Sequence, residues 1–247
     1  MHPILLQLGP LSIKSWGMMF SIGLIVGTYV AMRKAKGKGL NPNIILDTAV
    51  VSVVVGIVGA RILYVLEHWA DFSSSPLSIV MVNKGGLVVY GGLLVGVPTG
   101  IWYVKSKGLS VWKVADICGP SIPLVESISR IGCFLAGCCY GKPWEKGVVF
   151  PALGDGIPRI PTQLISSATL FLIFLSLVYY SRRRHGTGQV FWMSGILYSI
   201  YRFLIDFLRE NDSFLFRPLT TAQFISILVL GLSVYMFLWM GKKGRAL

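Results

Sequence analysis

The sequence predicts an all-α polytopic membrane protein: seven transmembrane helices, the N-terminus outside on the periplasmic side and the C-terminus in the cytoplasm. Three observations carry this. Of the 247 residues, 54% are hydrophobic and only 13% charged, against about 25% charged in a soluble domain, and the mean hydropathy is +0.69. So apolar a chain has no polar residues to spare for a watery surface. Apolar runs of membrane length recur along it. The basic residues gather between alternate runs, as they do in cytoplasmic loops.

A span needs about 20 mostly apolar residues. Seven stretches meet this: 16–33, 44–66, 86–104, 114–135, 163–180, 189–209 and 221–240. The fourth has the weakest apolar pattern, because it holds Asp116, Pro120, Pro123, Glu126 and Arg130. The charges argue for keeping it. With seven spans and an outer N-terminus, the inner side receives Arg33, Lys34, Lys36 and Lys38, then Lys105, Lys107 and Lys113. It also receives Arg182, Arg183 and Arg184, and finally Lys242, Lys243 and Arg245. Deleting the fourth span would turn two of these clusters outward, against the positive-inside rule. The opening residues lack a basic n-region, so no cleaved signal is expected. Nothing marks a separate soluble domain or a repeat, and the whole chain, 1–247, reads as one membrane domain. The net charge of +13 invites a nucleic-acid reading. Its distribution in short clusters between apolar runs does not form a binding face, and no nucleic-acid partner is expected.

The remaining arginines are the informative ones. Arg61, Arg130, Arg202 and Arg209 fall within spans two, four and six or at their outer ends, at similar depth. Lys14, Lys84, Lys142, Lys146, Arg159 and Arg217 fall in outer loops. A charge inside the bilayer costs several kcal/mol and generally faces a polar cavity or a partner; near a span end it can instead snorkel to the headgroups. Arg130 and Arg202 each have a carboxylate one helical turn away, Glu126 and Asp206, on the same helix face. Glu67 follows Arg61, and Glu210 adjoins Arg209. Guanidinium binds phosphate through paired hydrogen bonds. The pattern points to an outward-opening site for an anionic lipid or phosphate.

Glycines flank Tyr90 in "KGGLVVYGGLLVG", Lys84–Gly96. Small residues there serve close helix packing, or leave room for an acyl chain or peptide beside the Tyr90 hydroxyl. "GCCYGKP", Gly137–Pro143, reads as a turn. Cys118, Cys133, Cys138 and Cys139 are too few for a disulfide framework and lack the C-x-x-C spacing. Only Glu145 lies near as a further metal ligand, so the cysteines read first as small packing residues. No metal or cofactor is expected. His2, His68 and His185 have no catalytic setting.

Several segments resemble the phosphatidylglycerol–prolipoprotein diacylglyceryl transferase family, in order and spacing over most of the chain. They are the opening "MHPILLQLGPLSIKSWGMMFSIGLIVG", "GARILYVLEHW", "GGLVVYGGLLVG", "SRIGCFLAGCCYG", "RIPTQLISS", "LYSIYRFLIDFLREND" and "LTTAQFISI". The signature is a divergent, cysteine-containing one. Cys133, Ala136 and Cys138 stand where the family usually has Asn, Asn and Glu. Tyr90 stands for a His, Asp206 for a Glu, and Ile160, Ile165 and Ser166 for His, Tyr and Glu.

The resemblance implies an enzyme of the bacterial inner membrane, a multi-pass transferase. It would move the diacylglyceryl group of phosphatidylglycerol to the lipobox cysteine of a prolipoprotein signal peptide, forming a thioether and releasing glycerol 1-phosphate. The partners it implies are phosphatidylglycerol, the signal peptide and membrane lipids. By position Arg130 and Arg202 match the essential arginines, with Arg130 on the lipid phosphate. Arg209, Gly132, Gly137, Gly141 and Gln163 match further motif residues, and Arg61 belongs to the second-span motif. Glu126 and Asp206 would orient the arginines, and Tyr90 would relay the thiol proton. The missing His and Glu leave a repurposed, non-catalytic lipid-binding homologue as the first alternative. Transport of an anion or lipid, and thiol oxidoreduction, follow behind it.

Overall fold

The computed structural model describes residues 1–8, 11–73, 76–79, 86–210, 214–216 and 219–243. Lys84, Arg217 and Arg245 lie outside the described residues. The elements run β1 (Ile4–Leu8), β2 (Leu11–Lys14), α1 (Ser15–Gly37), α2 (Pro42–Glu67), α3 (Trp69–Ser73), α4 (Val89–Ser106), α5 (Val111–Cys118), α6 (Ser121–Ala136), β3 (Pro143–Val149), β4 (Pro158–Arg159), α7 (Thr162–Tyr180), α8 (Gln189–Ile205), β5 (Phe214–Phe216), β6 (Leu219–Thr220) and α9 (Thr221–Lys243). The described residues are therefore mainly helical, with three two-stranded antiparallel ribbons among them. By length and composition α1, α2, α7 and α9 qualify as membrane spans.

Two of the predicted spans differ in detail. The stretch 114–135 is two helices, α5 and α6, which break at Gly119–Pro120. Proline has no N–H to continue the ladder and pushes the residue before it away from the helical region. The sixth predicted span, α8, stops at Ile205 and passes into a 3₁₀ turn over Asp206–Leu208, so that Arg209 is extended rather than helical.

The chain divides into two compact units, 1–31 with 115–247, and 32–114. In the first, β1 and β2 pair as a hairpin leading into α1. Helices α6 and α7 pack together, as do α8 and α9. Leu170, Ile173 and Leu177 of α7 and Tyr201 and Ile205 of α8 form a buried cluster. Its polar residues point inward: Ser127, Gln163, Ser166, Asp206, Gln223 and Ser233 are all buried. Ser127 and Ser167 each donate to the other's backbone carbonyl, at 2.8 and 2.9 Å, and so tie α6 to α7. Leu172 and Tyr235 meanwhile stand exposed. Apolar outside and polar at the helix contacts is the distribution a bilayer selects, because lipid offers no hydrogen bonds and does not drive apolar surfaces together.

In the second unit, α2 lies against α4 through small residues. A Cβ placed on Gly59 would sit 2.7 Å from the Gly91 carbonyl, and one on Gly96 would sit 2.8 Å from the Ser52 carbonyl. Of the two readings open for these glycines, close packing is the one the contacts carry. Asn41 caps α2, accepting from the Asn43 N–H at 3.0 Å, and Pro42 opens it, a favoured first position.

Candidate functional site

Helix α6 ends in a left-handed cap at Gly137, with φ of 74°, a conformation that favours glycine. Its last turns carry Glu126, Arg130 and Cys133. Arg130 Nη2 donates to Glu126 Oε1 at 2.6 Å, both side chains about one-fifth exposed. Helix α8 brings Tyr198 to the same carboxylate, its hydroxyl 3.4 Å from Oε1. One turn on, Arg202 Nη1 donates to Asp206 Oδ1 at 3.1 Å. The Thr220 hydroxyl donates to the other Asp206 oxygen. Both predicted i,i+4 pairs are thus formed, and Tyr198 links the first of them across to α8.

The start of α7 holds the turn beyond α6. Thr162 Oγ1 donates to the Cys139 carbonyl at 2.7 Å and Gln163 Nε2 to that of Cys138 at 2.6 Å. Both side chains are fully buried. Thr162 and Gln163 follow Pro161 in the first turn of α7, where side chains are free to reach outside the helix. Gly141 lets three segments meet: its N–H donates to the Ile160 carbonyl at 2.9 Å. It also bridges to Arg209, and a Cβ on it would come within 2.6 Å of the Leu208 carbonyl. Gly132 is packed on α1, where its Cβ would meet Met19 Cβ at 2.8 Å. Of the glycines expected at the lipid, Gly132 and Gly141 stand against neighbouring framework atoms, and Gly137 lines the cavity beside the turn.

A cavity of about 510 Å³ opens beside this turn, lined by Gly137, Cys138, Cys139, Tyr140, Arg159, Arg209 and Glu210. Arg159 closes one wall. It donates to Asp155 at 2.8 Å and to Glu210 at 3.0 Å and lies over the Tyr140 ring, 5.2 Å from its centre. Glu210, adjacent to Arg209 in sequence, thus pairs with Arg159. The Arg159 guanidinium, with help from the Ile157 N–H, holds the Asp155 carboxyl below the usual carboxylate range. The Cys139 thiol is also held low, first by the Cys133 and Cys138 thiols and then by the charges of Arg209 and Arg130. Arg130 and Arg209 therefore both bear on one point, the Cys139 corner. Each has a buried Nε–H with no hydrogen-bond partner among the described residues.

The second unit places Arg61 and Tyr90. Arg61 is buried. Its Nε, Nη1 and Nη2 donate to the carbonyls of Ile79, Gly86 and Ser78 at 2.8, 3.0 and 2.6 Å. Its guanidinium lies over Phe72 and Tyr64. These contacts join α2 to Ser78, Ile79 and Gly86. Tyr90 stands exposed in the first turn of α4.

A family model described as prolipoprotein diacylglyceryl transferase matches residues 3–239. The chain belongs to this family. It is similar to the phosphatidylglycerol–prolipoprotein diacylglyceryl transferase of Clostridium tetani, 34% identical over 96% of this chain and 97% of that protein. A Clostridium perfringens protein with the same name and the number 2 is 33% identical over 99% and 98%. That of Bacillus velezensis is 32% identical over 99% and 94%. Within this transferase family the departures gain a physical setting. Ser166, in place of the usual Glu, is buried and interacts with Tyr201 of α8. Ile160 serves through its backbone, accepting from Gly141 and donating to the Lys142 carbonyl at 3.1 Å.

Several residues of this site were not singled out from the sequence. Tyr198 lies four residues before Arg202, and helical spacing alone would have put both on one face. Arg159 reaches Glu210 across 51 residues, and no local pattern announces such a pair. The joint position of Cys133, Cys138 and Cys139 depends on the left-handed cap.

Proposed function

We propose that the chain transfers the diacylglyceryl group of phosphatidylglycerol to the lipobox cysteine thiol of prolipoproteins. The thiol sulfur forms a bond to the glyceryl C3 carbon. The C–O bond to phosphate breaks, glycerol 1-phosphate leaves, and the thiol proton passes to solvent. The family membership over nearly the whole chain supports this reading. One observation supports the site: Arg130 and Arg209 each keep a buried Nε–H with no hydrogen-bond partner among the described residues, and Arg209 lines the cavity beside Cys138 and Cys139. A guanidinium has five N–H donors. Glu126 takes one from Arg130, which fixes the orientation and leaves a fork for phosphate. In this proposal Arg130 and Arg202 hold the lipid phosphate and offset the charge that builds on the leaving group. Glu126 and Asp206 orient them, Arg209 lines the entry, and Gln163, Gly132, Gly137 and Gly141 shape the turn. For Tyr90 the proton-relay role rests on the family motif alone, and Tyr90→Phe tests it. Arg61 narrows to a structural role in the same proposal.

The membrane arrangement is part of the proposal: seven spans in one domain, α5 and α6 together making the fourth, the N-terminus outside and the C-terminus in the cytoplasm of a bacterial inner membrane. In its support, Arg182–Arg184 follow α7 and Lys242 ends α9, whereas Arg130 and Arg202 lie at the opposite ends of α6 and α8 in the proposed topology. The deciding assay uses purified protein in phosphatidylglycerol vesicles with a lipobox peptide, and mass spectrometry for the diacylglyceryl adduct. Adduct from the natural chain and none from Arg130→Ala is the expected outcome. A folded natural chain that yields no adduct beside an active control would overturn the proposal in favour of a repurposed homologue.

A further inference from the structure

The sequence offered the cysteines as packing residues, but packing does not require their sulfur atoms to converge. The Sγ atoms of Cys133, Cys138 and Cys139 all lie within 4.8 Å of one another, and all three thiols are free. Tetrahedral zinc with Zn–S bonds of about 2.3 Å sets sulfurs about 3.8 Å apart. Closing the cluster onto an ion therefore takes shifts of about 1 Å or less. The backbone holds the arrangement from three sides. Gly137 reverses the chain after α6, and Cys139 adopts a φ of 62°, the one non-glycine positive φ among the described residues. Thr162 and Gln163 grip the two carbonyls of the turn. Beside it the buried Gln163 Oε1 has no hydrogen-bond partner among the described residues, which provides an acceptor for a group bound at the cluster. Three thiolates around Zn²⁺ carry a net charge of −1, and Arg209 lines the same cavity as Cys138 and Cys139.

We propose that Cys133, Cys138 and Cys139 bind one Zn²⁺ ion and leave its fourth position open for the acceptor peptide's thiol. The fourth-position role rests on the transferase reading above. Three protein ligands and one open position is the pattern of a working rather than a structural zinc site, and a thiol that coordinates the ion is deprotonated outright. Binding releases to solvent the protons that the cysteine thiols still carry and one from the peptide thiol. The bound thiolate then attacks glyceryl C3 while the C–O electrons leave with the phosphate, toward Arg130. The neutral thioether is a poorer ligand than the thiolate and departs. The site thus supplies the thiol activation that the absent His and Glu of the usual motif leave unassigned.

The test uses the full chain in detergent micelles or nanodiscs, freed of metal and titrated with Co²⁺ as an optical stand-in for Zn²⁺. The expected result is saturation at about one Co²⁺ per chain, with thiolate charge-transfer absorption that Zn²⁺ abolishes. Cys133→Ser and the exposed-position Cys138→Ser should each lose that absorption while keeping the thermal melt of the natural chain. A lipobox peptide should shift the visible Co²⁺ bands, and its Cys→Ser form should not. No Co²⁺ binding by folded protein, or equal binding after both substitutions, overturns the site even if adduct still forms. Metal binding that ignores the peptide thiol overturns the fourth-position role. Metal binding and a peptide response without any adduct in vesicles would uphold the site and overturn the transferase reading instead.

Discussion

Arg61 and Arg130 are both arginines on predicted membrane helices, each near the end of its helix, yet their surroundings give them different work. Every nitrogen of Arg61 donates to a backbone carbonyl, and two aromatic rings cover its plane. Arg130 gives Glu126 one hydrogen bond and keeps a buried Nε–H unpartnered among the described residues. The position in the span is alike; the acceptors are not. Arg61 stands beside the backbone carbonyls of Ser78, Ile79 and Gly86, which need donors. Arg130 stands where a carboxylate fixes its direction and its buried Nε–H has no partner among the described residues. An intramembrane arginine thus becomes a functional candidate through the donors it has not used, more than through its depth.

The largest effect that sharpens this contrast belongs to Arg130. Arg130→Ala should lower the rate of adduct formation by about 10²- to 10³-fold, the loss expected when one preorganised donor to a developing charge is removed, with little change in thermal stability. Arg61→Ala should do the reverse. It strands three carbonyls at roughly 1–3 kcal/mol each, so melting temperature and yield should fall while the rate per folded molecule holds. Equal rate losses in the two variants would break the distinction.

The second unit gives the next effect. Gly91→Leu places a side chain against Gly59 and Leu63, where even a Cβ has no room. Overpacking of this kind costs about 1–3 kcal/mol, read as a lowered melting temperature. If the glycines served instead to admit an acyl chain, the substitution would leave melting intact and change acyl-chain preference. Gln163→Leu should come third, because it frees the Cys138 carbonyl from a buried hydrogen bond worth about 1–3 kcal/mol when left unmade. The loosened turn should exchange its amide hydrogens faster at 138–141.

The smallest effect concerns the cavity wall. The Asp155 carboxyl is held low by Arg159, so its contribution is present above the unfolded value of about 3.9. It disappears as pH falls through the lower folded value. Asp155→Asn should behave at neutral pH as the natural chain does once acid has protonated Asp155, with a more mobile 155–159 loop by hydrogen exchange and little change in global melting.

The parts of this site that could be read from the sequence are the local ones. Glu126–Arg130 and Arg202–Asp206 follow from four-residue spacing on a helix, and the family motifs mark the same arginines. Helix periodicity places such pairs without knowledge of any neighbour. The break at Gly119–Pro120 was visible as a proline in a span, but hydropathy counts residues and does not count hydrogen bonds, so one span was read where two helices stand. The Arg159–Glu210 pair and the convergence of three cysteines depend on how a left-handed turn, two ribbons and the start of α7 come together. No local spacing encodes that. Arg61 is the opposite case. Its depth and its motif resembled those of the other arginines, and only its carbonyl partners set it apart.

The most direct measurement is the single-turnover rate of adduct formation by Arg130→Lys and Arg61→Lys, each normalised to folded protein. Lysine keeps the charge and loses the planar fork. The account predicts a fall of about 100-fold for Arg130→Lys at an unchanged melting temperature, and a near-natural rate from a less stable Arg61→Lys. A natural rate from Arg130→Lys would mean that charge without the fork suffices, and would contradict the phosphate role given to its free donors.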